Sequence, residues 1–318
     1  MKRSLLILAV LFAAPSATLA QEARPARIVV PWPAGGSADS VGRLLAEPLG
    51  AAFKRSFLVE NRPGASGMIG SAAIATAEAD GSTFVISGIP SHVVAPAMSE
   101  APPFDALKGF THIAFIGGSP IVLVAHPSLR IGSVSEFLAL ARARTEALPY
   151  VSPGVGSLGH LVAELLAQKN AIKLSHVPYK GGAQAVTDLV AGHVTLGALS
   201  WSAAQSHIQS GRLVPLAVSS RRRVPGYETV PTFKELGHDE LTTTTWWSFS
   251  APPGLAPALA DALNAEINKA LESPAAARQL ARETIETEPM SRTQFTAFMQ
   301  GEIERWTPIA KRVTSTAR

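Results

Sequence analysis

Apolar residues recur along this chain in two alternating rhythms. Short runs of aliphatic and β-branched residues alternate with segments where apolar positions return every three or four residues. Ile28-Val29-Val30 predicts a short buried strand. After it Val41, Leu44, Leu45, Leu49 and Phe53 return at helical spacing, with Ser37 as the expected N-cap. Further strands are expected at 57–59, 83–87, 113–116, 121–125, 150–152, 174–177, 194–199 and 214–218. The runs 113–116 and 121–125 are divided by Gly117-Gly118-Ser119-Pro120, which reads as a break. Helices are expected at 69–77, 134–144, 158–169, 183–191 and 203–210, and an extended segment at 242–250. The final stretch is helical at 256–271, 274–282 and 293–311. Strands that alternate with helices in this way build βαβ units and mostly parallel sheets, so the fold class is α/β.

Two such blocks are present, about 24–115 and 121–219. The C-terminal helices have no strands of their own to cover and are expected to pack back on the first block. That makes the first domain discontinuous, 24–120 plus 245–318, with 121–244 as the second domain and two chain crossings as a hinge. A length of 318 residues is enough for two domains with full cores.

The N-terminus stands apart from this pattern. Lys2 and Arg3 precede an apolar run over 5–14, Pro15 and Ser16 break it, and Thr18-Leu19-Ala20 supplies small residues where a signal peptidase reads. Residues 1–20 are therefore expected to be a signal peptide, cleaved after Ala20, and the protein exported. The apolar run is shorter than the roughly 20 residues a membrane span needs. The formal charge is +4, two of it from Lys2 and Arg3, which leaves no footprint for nucleic acid. Arg221-Arg222-Arg223 reads as a solvated turn. The absence of cysteine rules out disulfides, thiolate metal sites and a cysteine nucleophile. The eight histidines are scattered with no i, i+4 pair, so no metal and no cofactor is expected.

The remaining chemistry lies in loops that follow strands, where open α/β sheets bind ligands and helix N-termini point. Four such loops are rich in glycine and small hydroxyl residues: 31–39 (PWPAGGSAD), 61–70 (NRPGASGMIG), 152–160 (SPGVGSLGH) and 177–182 (VPYKGG). Glycines let the backbone curl so that N–H groups face an anion. Ser37 and Ser157 are the expected N-caps, with Ser157 also a donor to a bound anion; Arg62 fits either a ligand carboxylate or a surface ion pair. The third loop contains Gly154, Gly156 and Gly159 in G-x-G-x-x-G spacing, after a strand and before a helix. A dinucleotide would also need an acidic residue about 20 positions on, and 171–182 contains none. No G-x-S-x-G elbow and no H-E-x-x-H occurs, so no hydrolase nucleophile or zinc site is legible. His160, in the first turn of a helix, fits either a hydrogen bond across a cleft or a structural role.

The order of these motifs resembles the Bug-type periplasmic solute receptors of the tripartite tricarboxylate transporter (TctC-like) family. The resemblance rests on Pro33-Ala34-Gly35-Gly36-Ser37-Ala38-Asp39 with Arg43, on Glu60-Asn61-Arg62-Pro63-Gly64-Ala65 with Gly67 and Gly70, and on Asp80-Gly81-Ser82-Thr83. It continues through Ser152 to Ser157 with His160, Val177-Pro178-Tyr179-Lys180-Gly181-Gly182 and Asp188-Leu189-Val190-Ala191-Gly192. Val230-Pro231-Thr232, Trp247, Ala251-Pro252-Pro253-Gly254 and Trp306 complete it.

The resemblance implies a two-domain periplasmic binding protein fold that closes like a flytrap on one small carboxylate. It implies a non-enzymatic monomer that serves a membrane transporter; a sensor that presents its loaded form to a signalling partner is the alternative, and an exported hydrolase the least favoured. The ligand-binding residues it points to are Trp32, Ala34, Gly35, Gly36, Ser37, Asp39, Ser87, Ser91, Ser152, Gly156, Ser157, His160, Tyr179, Gly181, Ser200 and Trp201. Ser82, Ala95, Gly109 and Thr195 depart from the family pattern; most of these are expected to be peripheral, and the Ser200-Trp201 loop is expected near the cleft.

Overall fold

The computed structural model describes residues 24–179 and 181–316. The expected signal peptide at 1–20 lies outside the described residues, as does Lys180. Among the described residues no helix is long and apolar enough to cross a membrane.

Three parallel strands begin the fold: β1 (Ala26–Val30), flanked by β2 (Phe57–Asn61) and β3 (Thr83–Gly88). Helix α1 (Ser37–Phe53) connects the first two and buries Val41, Leu45 and Leu49 on them. Helix α2 (Met68–Ala75) precedes β3. A π-turn (Pro90–Val94) and a short helix α3 (Ala95–Met98) follow it. The sequence pattern did not signal that turn, because two prolines fall within nine residues.

The 15-residue strand β4 (Thr111–Ala125) then runs through the whole molecule. Its first ten residues pair antiparallel with β9 (Thr244–Ala251), which also pairs with β3. Its last five pair antiparallel with β7 (Leu196–Ser200), and β8 (Val214–Val218) lies on its other side. The second sheet is completed by β5 (Leu148–Ser152), parallel to both β7 and β6 (Leu174–Pro178). The break expected at 117–120 is therefore not a break. Gly117 to Pro120 stay in the ladder opposite Trp247 to Thr244, and a bulge between Phe115 and Gly117 absorbs the irregularity.

Helices α4 (Val134–Ala143), α5 (Leu158–Asn170), α6 (Gly182–Val190) and α7 (Trp201–Gln209) cover the second sheet. The C-terminal helices do not all pack alike. Helices α8 (Pro257–Leu271) and α9 (Pro274–Arg282) bury Leu263, Ile267, Leu271 and Leu280 in the core shared with α1 and β1. Helix α10 (Arg292–Thr316) packs Phe295, Met299, Trp306 and Val313 into a core shared by both blocks, with Ile89, Val93, Val94 and Phe115 of the first and Phe137, Leu161 and Leu166 of the second. Helices α8 and α9 pack on the first block, and α10 packs on the first block and also reaches the second.

Candidate functional site: the cleft between the two sheets

A cleft of about 690 Å³ opens where the two blocks meet. Its walls are built by the ends of five helices. Ser37 stands at the first position of α1, and Ser66 and Met68 at the start of α2. Ser157, Leu158 and Gly159 open α5, Gly182 opens α6, and Ser200 and Ser202 flank the start of α7. The first N–H groups of a helix have no acceptor within it and carry the positive end of its dipole. None of the lining residues, among those described, has an ionisable side chain. The cleft therefore offers an anion hydrogen-bond donors and positive potential without a buried cation.

Local bonds shape each wall. In the first loop the N-cap of α1 is Gly36, without a side-chain bond, and not Ser37 as the sequence suggested. Asp39 performs the tie one turn in. Its carboxylate accepts from the Gly35 amide at 3.0 Å, from Arg43 Nε at 2.9 Å and from Asn61 Nδ2 at 3.0 Å. The Arg43 bond, against the opposing cost of burial, holds its pKa down at about 2. Asn61 also donates to the Trp32 carbonyl, so the end of β2 fixes the loop after β1. Arg62 pairs with Glu60 at 2.8 Å on the surface, the bland one of its two expected roles.

In the second loop Ala65 and Ser66 both adopt positive φ, 46° and 54°, where side chains are strained. Both line the cleft. Gly67 allows close packing here: a Cβ on it would lie 2.7 Å from Ser91 Cβ and 3.3 Å from the Trp32 ring.

In the third loop Ser157 caps α5, accepting from the His160 amide at 3.3 Å. Its own hydroxyl donates to Ser152, which lies 2.7 Å from His176 Nε2. His160 Nδ1 accepts the Gly156 N–H at 3.1 Å, and its ring stacks on His176 at 3.7 Å between centroids. Burial, with the neighbouring ring adding to it, pushes His160 down to about 3; burial takes His176 to about 4. Both are neutral supports beneath the loop at physiological pH. A Cβ on Gly159 would overlap the Ala198 carbonyl, so the last glycine of the G-x-G-x-x-G spacing seats α5 on β7.

The structure brings Trp32, Ser37, Gly156, Ser157 and Ser200 of the expected set to the cleft surface. Ala34, Gly35 and Gly36 form the exposed loop beside it. Gly181 leads into Gly182 at its edge, and the Tyr179 hydroxyl donates to Asp188 at 2.5 Å. Asp39, Ser152 and His160 are buried behind the loops they brace. Ser87 is buried in the sheet, bonded to Ser248 and Ser250, and Ser91 is bonded to His92. Trp201 is fully buried against Tyr227 in the core of the second block, because α7 begins at that residue and turns its side chain inward.

Other residues complete the cleft without having been singled out for it: Pro90, Val94, Ala95, Met98, Ser119, Ile121, Thr245 and Trp247. Ala95, expected to be peripheral, lies in the wall. Trp32 and Trp247 meet edge to face, 4.8 Å between centroids.

A second cavity, about 490 Å³, lies on the far side of the same strands. Side chains alternate across a strand. Ser119, Thr245 and Trp247 face the cleft, whereas Gly118, Thr244 and Trp246 line the rear cavity. The buried Glu302 carboxylate accepts from Trp246 Nε1 there at 2.8 Å.

The family model described as "Tripartite tricarboxylate transporter family receptor" matches residues 41–314. Protein BugT of Bordetella pertussis is 34% identical over 301 residues, covering 94% of this chain and 92% of its own. Among solved structures, an R. palustris protein with adipate superposes with a TM-score of 0.78 at 31% identity, over 91% of this chain and 97% of that one. MatC of Rhodopseudomonas palustris, with bound malate, gives a TM-score of 0.75 at 25% identity, over 90% and 98%. These likenesses give the chain the two-domain architecture of the periplasmic binding proteins. The chain belongs to the receptor family of the tripartite tricarboxylate transporters.

Proposed function

We propose that this protein is a periplasmic receptor that captures a small carboxylate in the cleft and delivers it to a membrane transporter. The observation that carries the reading is the convergence of five helix N-termini on a cleft whose described lining has no charged side chain. Such a site satisfies a carboxylate with oriented N–H groups and hydroxyls and leaves no buried charge when empty. The adipate and malate held by the two similar R. palustris proteins support the same ligand class. Residues 24–120 with 245–318 form one lobe and 121–244 the other, joined through β4 and β9. The ligand closes the lobes because only the closed form lets it touch both.

The test is a thermal-shift screen of the purified protein, refolded to strip bound ligand, against carboxylates with neutral amides and sugars as controls. A ligand at 100 times its Kd adds roughly 2.7 kcal/mol to the folded state, a shift of a few degrees. A response confined to carboxylates is expected. A response confined to neutral compounds would overturn the reading. Ser157→Trp fills the mouth of α5 and is expected to abolish the shift while leaving the melting transition cooperative.

A further inference from the structure

The rear cavity, about 490 Å³, is of a size that takes a small molecule, and its charges are sorted by depth. The exposed part carries both signs. Arg221 pairs with Glu288 at 3.1 Å, and Arg222 and Glu286 are exposed there as well. Arg305 is tied to backbone: it donates to the carbonyls of Thr242 and Glu240 and stands 3.7 Å from Glu302. The buried part is aromatic and acidic, with Phe115, Trp246 and Glu302 all buried. Trp246 Nε1 donates to one Glu302 oxygen at 2.8 Å, and the Trp246 ring meets Phe298 edge to face, 5.7 Å between centroids.

Two groups in the lining are left short of partners. Burial pushes the Glu302 carboxyl up, against the Trp246 bond, the Arg305 charge, the Trp306 indole and the more distant Arg221. Those partners do not offset the water it has lost. Thr243 is 7% exposed, and its hydroxyl has no hydrogen-bond partner among the described residues. Such a group costs stability until something bonds it. The other hydroxyls of the lining have no such need. Ser219 donates to the Thr243 carbonyl and Thr242 to Asp239, while Thr244 and Thr287 reach solvent.

An ammonium group answers both shortfalls. It is a compact charge with three donors, and it is drawn to the face of an indole. An anion would meet the Glu302 charge at depth, and a neutral molecule would leave that charge unanswered. We propose that the rear cavity is a second ligand site, for a small primary amine, with the ammonium held by Glu302 and Thr243 and the carbon chain against Trp246, Phe115 and Phe298. The site stands apart from the carboxylate reading, because none of these residues lines the cleft.

Calorimetric titration of the ligand-stripped protein at neutral pH tests it, with n-butylamine as the probe and n-butanol as its uncharged counterpart. The amine is expected to bind at a single site, roughly tenfold or more tighter than the alcohol. Glu302→Gln keeps an acceptor for Trp246 and removes the charge, and is expected to weaken the amine roughly tenfold. Thr243→Val removes only the unpaired hydroxyl and is expected to weaken it roughly threefold with the fold retained, so it carries the test should Glu302→Gln fail to fold. Ser157→Trp, on the opposite side of the strands, is expected to leave amine affinity unchanged. Butanol binding as tightly as the amine would overturn the proposal, as would amine binding that Ser157→Trp removes and Glu302→Gln does not. Phosphate binding that Arg222→Ala abolishes would assign the cavity to an anion and overturn it too. An amine titration without heat would have the same consequence.

Discussion

Asp39 sits in the loop that the motifs mark for the ligand, yet all three of its bonds run inward, to Gly35, Arg43 and Asn61. Its acidity was legible as a first-turn feature of α1; its partners were not, because Asn61 comes from β2. Asp39→Ala leaves the Gly35 N–H without its acceptor and the Asn61 amide with the Trp32 carbonyl alone, and is expected to cost about 1–3 kcal/mol, read as a lower urea midpoint. The same carboxylate, at about 2 when folded against 3.8 unfolded, stabilises the fold above pH 4 and loses that contribution as pH falls towards 2.

The buried histidines act in the same direction at higher pH. Burial, the largest cause for all four, pushes His92 and His160 to about 3 and His112 and His176 to about 4, from an ordinary 6.5. Below 6.5 the unfolded chain takes up protons that the folded chain refuses, so stability falls steadily as pH drops from 6.5 towards 4. Unfolding free energies by urea at pH 7.5, 6 and 5 check this; a flat profile would contradict neutral burial of these rings. Sequence alone could show only that the histidines form no metal spacing.

Elements were read more surely than the contacts between them. The alternation of strands and helices, the cap at Ser157 and the helix Pro274–Arg282 follow from periodicity and capping chemistry, which are local. Strand β4 did not follow, because glycine and proline punctuate a chain only when no partner strand holds them. Here β9 does, and Gly117 at φ 144° carries the bulge. A side chain at Gly117 would be strained by that φ and would overlap the Glu286 carbonyl. Gly117→Ala is therefore expected to destabilise the protein by about 2–4 kcal/mol, a large effect for one methyl group. Trp201 and Ala95 show the same limit in the site. One lies beside a motif and turns inward; the other lies outside every glycine loop and lines the cleft, brought there by the turn after β3.

At the scale of the molecule, both lobes share strands. Chain crossings at β4 and β9 are hydrogen-bonded to each other along ten residues of β4, so the lobes are joined by a paired ribbon and not by loose linkers. Closure on a ligand then has to bend or twist that ribbon. Small-angle scattering on the stripped and loaded protein is expected to show a smaller radius of gyration when loaded; equal radii would refute closure.

The alternation of side chains across that ribbon makes it the fulcrum of a lever. Narrowing the front gape around Ser119 and Trp247 must spread the back, around Gly118, Thr244 and Trp246. Gly301 of α10 lines the back with open space around it, so Gly301→Trp would act as a wedge there. It is expected to tighten ligand capture without touching the ligand, and to shrink the empty protein. The grip of this receptor would then be adjustable from behind, by residues that never meet its cargo.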